Sequence, residues 1–300
     1  MEKFMTWMET HMMPVAAKLG NNKYLKAISS GFIAVMAATI VGSIFTLIGN
    51  LPITAWTNWL AETGLNQLFA LPGQCTTDLI AIYAVFFIAY SLAQSFAVDG
   101  AGAGLSCLVS FFIITGRTAY YAAAATDATS VSAMATTYLG AKGLFSAMII
   151  ALVGARIYVS VVKKGWVIKL PDSVPPNVAN SFSSLIPAAF VVVLFIVVRF
   201  LCTLTPYGDL HTMIFTIIQS NLMRFIGNNV WSWLFFNLMA NLLWFFGLHG
   251  GNIVGSITNP IDTPLSLENL AAFQAGEKTM PYMEPIPPNV KLFPKAPVMM

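Results

Sequence analysis

From Ala27 to Gly49 the chain carries no Asp, Glu, Lys or Arg, only apolar and small residues. A helix of that length spans a hydrocarbon core about 30 Å thick, which takes roughly 20 apolar residues. The first such run is placed at Leu25 to Gly49, and others follow at Leu79–Val98, Leu105–Thr115, Gly143–Val162, Ser184–Leu204 and Trp231–Leu248. Composition agrees, because 57% of residues are hydrophobic, 9% are charged and the mean hydropathy is +0.74. A soluble domain carries about 25% charge, so this chain has too little to cover a surface facing water. The expected fold class is an all-α integral membrane protein, with about six transmembrane helices plus amphipathic interfacial helices.

The segments between the runs give orientation. Lys18, Lys23 and Lys26 precede the first run, and Arg156, Lys163, Lys164 and Lys169 end or follow the fourth. Basic residues concentrate in short cytoplasmic loops, which places the N-terminus on the cytoplasmic side. Residues 1–20 mix charged and apolar positions, lack a cleavable leader's continuous apolar core and suit a helix lying on the membrane surface. Trp56 and Trp59 lie between apolar runs, at the level of the lipid–water boundary. Asp99 to Gly104 reads as a tight small-residue turn, and Thr118 to Thr137 as either a close-packing stretch or a loop. From Glu277 the chain is proline-rich, with six prolines in the last twenty residues, and is expected to be disordered.

Several chemistries find no support. The net charge of +3 comes without a basic run interleaved with aromatics, so nucleic acid is not an expected partner. Cys75, Cys107 and Cys202 are scattered and fit neither a disulfide framework nor a metal site; small buried hydrophobes are the expected role. No phosphate-cradling glycine loop, nucleophile elbow or zinc motif is present. No catalytic residue, metal or cofactor is assigned.

The segment of most chemical interest is Phe246-Gly247-Leu248-His249-Gly250-Gly251-Asn252. An ionisable side chain closing an apolar run, followed by two glycines, suits a broken helix lining a cavity. It equally suits an interfacial histidine before an ordinary glycine helix end. Asn237 and Asn241, four apart on one helix face, suit sugar hydroxyls or bonds between helices. Asp78 and Asp99 are expected at solvated span ends, Arg199 to reach the surface or pair inward, and His11 and His211 to lie on the surface.

Lys169-Leu170-Pro171, Val174-Pro175-Pro176-Asn177-Val178, Ser181-Phe182 and Leu185-Ile186-Pro187 are followed by Phe246-Gly247-Leu248-His249-Gly250 and Glu268-Asn269-Leu270-Ala271-Ala272-Phe273-Gln274-Ala275-Gly276. In that order, these words resemble the membrane (IIC) components of the lactose, cellobiose and diacetylchitobiose phosphotransferase systems. The resemblance implies an inner-membrane homodimer that carries a β-linked disaccharide inward while a IIB partner, charged through IIA, phosphorylates it. On that reading the IIC chain holds the sugar and is not itself phosphorylated. His249, Gly250, Gly251 and Asn252 then belong to the sugar site, with the imidazole able to donate and accept hydrogen bonds.

The implied domains are an amphipathic segment at 1–24, a dimerising half at 25–162 and a cytoplasmic linker at 163–182. The start of the sugar-binding half, 183–276, and a divergent tail, 277–300, complete the chain. Family members continue beyond this point, through an Asn-Glu-Pro motif that is not found here. Glu284 lies too close to His249, in the proline tail, to stand for its glutamate. A C-terminally truncated permease is therefore expected, and the alternative is an inactive remnant that only folds or dimerises.

Overall fold

The computed structural model describes residues 20–51, 53–116, 118–121, 130–134, 136–171, 173–219, 221 and 230–245, with isolated positions before 20 and from 251 to 269. The N-terminal amphipathic segment and the proline-rich tail, for which expectations were stated, lie almost wholly outside the described residues.

The elements are helices joined by short turns, apart from one small hairpin. Helix α1, Lys23–Gly49, starts on Asn22, whose side chain accepts from the amides of Tyr24 (2.9 Å) and Leu25 (3.2 Å). That cap satisfies two of the donors a helix start leaves open. Helices α2 (Thr54–Thr63) and α3 (Leu65–Thr76) follow, and a single 3₁₀ turn, Thr77–Leu79, leads into α4, Ile80–Ser95. Together Leu65–Ser95 make one apolar run of 31 residues. The second span therefore starts earlier than Leu79. Pro72 sits inside α3 without ending it, and Thr76 Oγ1 donates to the Pro72 carbonyl at 2.6 Å.

Helix α5, Gly100–Thr115, begins where the sequence suggested a turn. Asp99 caps it, accepting from the amides of Ala101 (3.2 Å) and Gly102 (2.9 Å). The glycines serve packing: a Cβ at Gly100 would meet the Tyr90 ring at 2.7 Å, and one at Gly104 the Phe86 ring at 2.8 Å. The actual break lies at residues 96–99, where Ala97 takes a left-handed φ of 58°. After α5 comes an antiparallel hairpin, β1 (Thr118–Tyr121) and β2 (Ser130–Ala133), with Thr118 opposite Ala133 and Tyr121 opposite Ser130. Helices α6 (Leu144–Lys163), α7 (Pro176–Ser183), α8 (Leu185–Thr203), α9 (Leu210–Ile214) and α10 (Val230–Phe245) complete the order. A single π turn, Phe215–Gln219, extends α9.

Helices α4 and α6 form the centre, packed on each other and flanked by α1, α5 and α8. The buried face of α4, Ala81, Ala84, Val85, Ile88, Ala89, Leu92 and Ala93, repeats at three and four residues. That spacing is one helix face, and its alanines let the neighbours approach closely. Helix α1 buries only Ala27, Ile28, Gly31, Val35 and Gly42. It crosses α3 with reciprocal small residues, since a Cβ at Gly42 would overlap Thr76 and one at Gly73 would overlap Thr46. Close backbone approach of this kind holds helices together where lipid supplies no hydrophobic drive. The outer faces of α1 and α8 expose Ile33, Met36, Ile40, Val193, Ile196 and Phe200.

Four helical runs are long and apolar enough to cross a membrane: Lys23–Gly49, Leu65–Ser95, Ala141–Lys163 and Val178–Thr203. Two shorter apolar helices, Gly100–Thr115 and Val230–Leu243, occupy the positions of the third and sixth expected spans. The chain is an all-α integral membrane fold, with the hairpin as its one β element among the described residues.

Candidate functional site

The segment carrying the candidate sugar residues is positioned at both flanks. On one side, Leu243 near the end of α10 packs with Val254, and Phe236, Met239 and Ala240 close around them. On the other, Ile261 and Leu265, 4% and 7% exposed, join the main core with α4 and α6. Val254 thus packs on α10 alone, and the tie to the main core is made by Ile261 and Leu265. Gly251 is described, helical and exposed; His249, Gly250 and Asn252 lie outside the described residues. Asp262, next to the Ile261 anchor, has its carboxyl raised above the usual range by burial, against the pull of a hydrogen bond with Thr258.

Asn237 and Asn241 do not reach across to another helix. Asn237 Nδ2 donates to the Trp233 carbonyl at 3.1 Å and Asn241 Nδ2 to the Asn237 carbonyl at 2.8 Å, and both side chains are exposed. Back-bonding of this kind is the local option for a short polar side chain on a helix.

A second polar group lies at the end of the bundle where α5 finishes and α8 gives way to α9. Asp209 caps α9, accepting from the Thr212 amide (2.8 Å) and hydroxyl (2.7 Å). Thr212 spends its proton on Asp209, so Tyr138 must be the donor in its 3.0 Å contact with Thr212 Oγ1. The Tyr138 ring stacks on His211 at 4.8 Å and 11°, and Phe111 meets His211 edge-on at 5.2 Å.

His211 is 1% exposed, against the expectation of a surface residue. Its polar neighbours in sequence hid the fact that α9 docks on the end of α5, between two aromatic rings. Thr115 Oγ1 donates to the Phe111 carbonyl at 2.9 Å, so His211 Nε2–H donates to Thr115 Oγ1 at 3.0 Å. That leaves Nδ1 as a bare, buried lone pair without a partner. Burial pushes the His211 imidazolium pKa down to about 4, against the opposing pull of the Asp209 carboxylate. A proton added at Nδ1 would have nothing to bond. Beside this group the Arg199 guanidinium donates to the Ile113 carbonyl in the last turn of α5, so Arg199 pairs inward, where a cation complements the helix C-terminus. The arrangement is an aromatic-clamped, hydrogen-bonded closure of one end of the bundle around a neutral imidazole, not a substrate pocket.

An open cavity of about 280 Å³ lies where α1 passes α3. Thr46, Asn50, Asn66, Gln74, Thr77 and Asp78 line it, a mixture of donors and acceptors for water or a small polar solute. Asp78 and Asp99 are both exposed; Asp99 stands at a span end as expected, whereas Asp78 falls inside the run Leu65–Ser95, within the 3₁₀ turn that interrupts it. Cys107 and Cys202 are buried and Cys75 is exposed, so the expected burial fails at Cys75, which lies in the polar part of α3. Among the described residues no three metal-ligating side chains gather.

A bundle of apolar helices, closed at one end, defines a polytopic membrane protein. The phosphotransferase system EIIC family model matches residues 29–290, and the chain belongs to that family. It is similar to the cellobiose-specific EIIC component of Geobacillus stearothermophilus, 37% identical over 280 residues. That alignment covers 91% of this chain and 62% of the relative. The lichenan permease IIC component of Bacillus subtilis (strain 168) is 35% identical, with 93% and 62% covered. The crystal structure of the transporter ChbC, the IIC component of an N,N'-diacetylchitobiose-specific phosphotransferase system, superposes with a TM-score of 0.82 at 34% identity. It covers 90% of this chain and 64% of that one. The chain therefore spans less than two thirds of the length of these relatives.

Proposed function

We propose that this chain is the sugar-translocating IIC part of a phosphoenolpyruvate-dependent phosphotransferase permease for a β-linked disaccharide of the cellobiose, lactose or diacetylchitobiose class. The observation that carries the reading is the match along nine tenths of the chain to a diacetylchitobiose IIC structure, together with the likeness to a cellobiose component. His249, Gly250, Gly251 and Asn252 form part of the sugar site on this reading, with His249 orienting the hydroxyl that a IIB partner phosphorylates. The packing of Ile261 and Leu265 into the main core, just beyond the segment, supports it, because a precise site needs rigid supports. The chain sits in the bacterial cell membrane as a homodimer through its first half, 25–162, with the N-terminus cytoplasmic. Convergence of Lys23, Arg156 and Lys163 at one end of the bundle supports that orientation.

The test is formation of sugar phosphate from phosphorylated IIB and cellobiose by membranes carrying this chain. Product that disappears in His249→Ala is expected. No product, with IIB competent toward a full-length relative, would sink the proposal. It would leave the second reading, a chain that folds in the membrane without translocating, which the 62% coverage of the relatives keeps in view.

A further inference from the structure

We propose that Lys23, Arg156 and Lys163, gathered on the ring of Phe96, form a seat for the phosphodiester headgroup of an anionic bilayer lipid. Lys23 Nζ lies 4.2 Å from the ring centroid, Arg156 Cζ 5.0 Å and Lys163 Nζ 5.1 Å. They reach the ring from two helices, α1 and α6, and the ring is held in the turn that follows α4. Lys23 is fixed further by donating to the Ser95 carbonyl at 2.8 Å.

An aromatic face attracts each cation, but the three cations also repel one another. Each lies within about one Debye length of the others at 0.1 M salt, ~10 Å, so solvent ions screen that repulsion only in part. The low-dielectric spans beside them strengthen it. Among the described residues no carboxylate forms an ion pair with any of the three. Asp99, three residues from Phe96, directs its carboxylate oxygens to the amides at the start of α5. A compact, exposed trio of cations with no described carboxylate in contact is the donor set that a phosphate oxygen fits.

The depth of the site selects a lipid. Arg156 lies seven residues before Lys163, about 10 Å further along α6 at 1.5 Å per residue, within the run Ala141–Lys163 that is apolar enough to cross a membrane. It reaches back toward the surface, and Phe96 is where it arrives. Trp166, 51% exposed with Lys164 Nζ 5.3 Å above its ring, marks headgroup level one turn beyond. Val153, 44% exposed and one turn deeper than Arg156 on α6, gives an acyl chain an apolar flank. A free anion would leave that flank unused. An acidic protein would have to enter headgroup depth to meet Arg156.

Native mass spectrometry of this chain, released from nanodiscs containing equal phosphatidylglycerol and phosphatidylcholine, tests the assignment. Wild type should retain phosphatidylglycerol preferentially, and less so in raised salt. Each cation near a membrane surface favours anionic lipid by about fivefold, so K23Q/R156Q/K163Q should lower the preference on the order of 100-fold. Lys26→Gln with Lys169→Gln, cations of the same side outside the seat, should lower it less than Arg156→Gln alone, and an equal or larger loss would overturn the seat in favour of a diffuse surface charge. Should the triple variant fail to insert, Arg156→Gln alone should still lower the preference about fivefold. Equal retention of the two lipids by wild type would overturn the proposal. So would a triple variant with undiminished preference, or displacement of the lipid by inorganic phosphate alone. Unchanged lipid preference with loss of IIB binding in the triple variant would overturn it in favour of an acidic protein partner. The outcome is independent of whether the chain transports sugar.

Discussion

The two ends of this helix bundle handle polar groups in opposite ways. At the end where α5 finishes, His211 is buried, its Nε2–H is bonded to Thr115, and Tyr138, Thr212 and Asp209 form a continuous hydrogen-bond chain. Arg199 turns its charge inward onto a backbone carbonyl. At the end where α4 finishes, Lys23, Arg156 and Lys163 crowd one aromatic ring, all exposed, with no described carboxylate paired to them. The first end pairs its polar groups within the chain, whereas no described side chain pairs the charges of the second. Its stability should therefore be insensitive to its charges, while that of the first should depend on every partner.

The largest effect is expected at His211. His211→Ala removes a stacked and an edge-on aromatic contact and leaves a hole between Phe111 and Tyr138. Truncating a buried ring of this size costs about 3 kcal/mol. Reversible unfolding in detergent should show that loss, and a change under 1 kcal/mol would mean that the closed end does not hold the bundle together.

Acid probes the same residue. His211 lies between spans, on α9, and faces Asp209, Tyr138 and Thr115. Its imidazolium pKa is pushed down to about 4 from 6.5, so the unfolded chain binds the proton first. Stability from this group is therefore complete above pH 6.5 and declines as pH falls toward 4. The loss is at most about 3 kcal/mol over that window. The decline should vanish in His211→Phe, which keeps a ring and removes the titration. A slope unchanged in that variant would assign the acid sensitivity elsewhere.

These contrasts show how far the sequence could be read. The apolar runs were legible because hydropathy acts residue by residue, so the helices from Lys23, through Leu144–Lys163 and Leu185–Thr203 fell near their expected places. Gly100 to Gly104 was not legible as helix, because its purpose is the approach of Tyr90 and Phe86 from another helix. His211 was misplaced for the same reason: burial came from rings at positions 111 and 138, distant in sequence. Asn237 and Asn241 shared a face as expected, but each bonds its own helix. The candidate sugar segment stood out through its histidine and paired glycines. Its flanking anchors at Ile261 and Leu265 could be read only from the packing.

The caps offer a mid-sized comparison, one at each end. Asp209→Ala should cost about 2 kcal/mol, since it removes a cap and also strips Thr212 and Tyr138 of the acceptor ending their chain. Asp99→Ala removes only a cap on exposed backbone and should cost about 1 kcal/mol. Equal losses in thermal or denaturant unfolding would mean that the hydrogen-bond chain beyond Asp209 adds nothing.

The smallest effect is expected where charge is densest. In phosphatidylcholine, with no anionic headgroup available, K23Q/R156Q/K163Q should change unfolding stability by no more than about 0.5 kcal/mol. The sign follows from two opposed terms. Three exposed cation–π contacts are weakened, about 0.5 kcal/mol each, while the mutual repulsion of three charges is relieved by a similar amount. In phosphatidylglycerol the same substitutions should become destabilising, because a ligand that binds the folded chain stabilises it and the variant loses that ligand. The measurement is the difference between the two lipids, not either value alone. A loss above 2 kcal/mol in phosphatidylcholine would make the trio part of the bundle's own scaffold, and the two ends would then be alike.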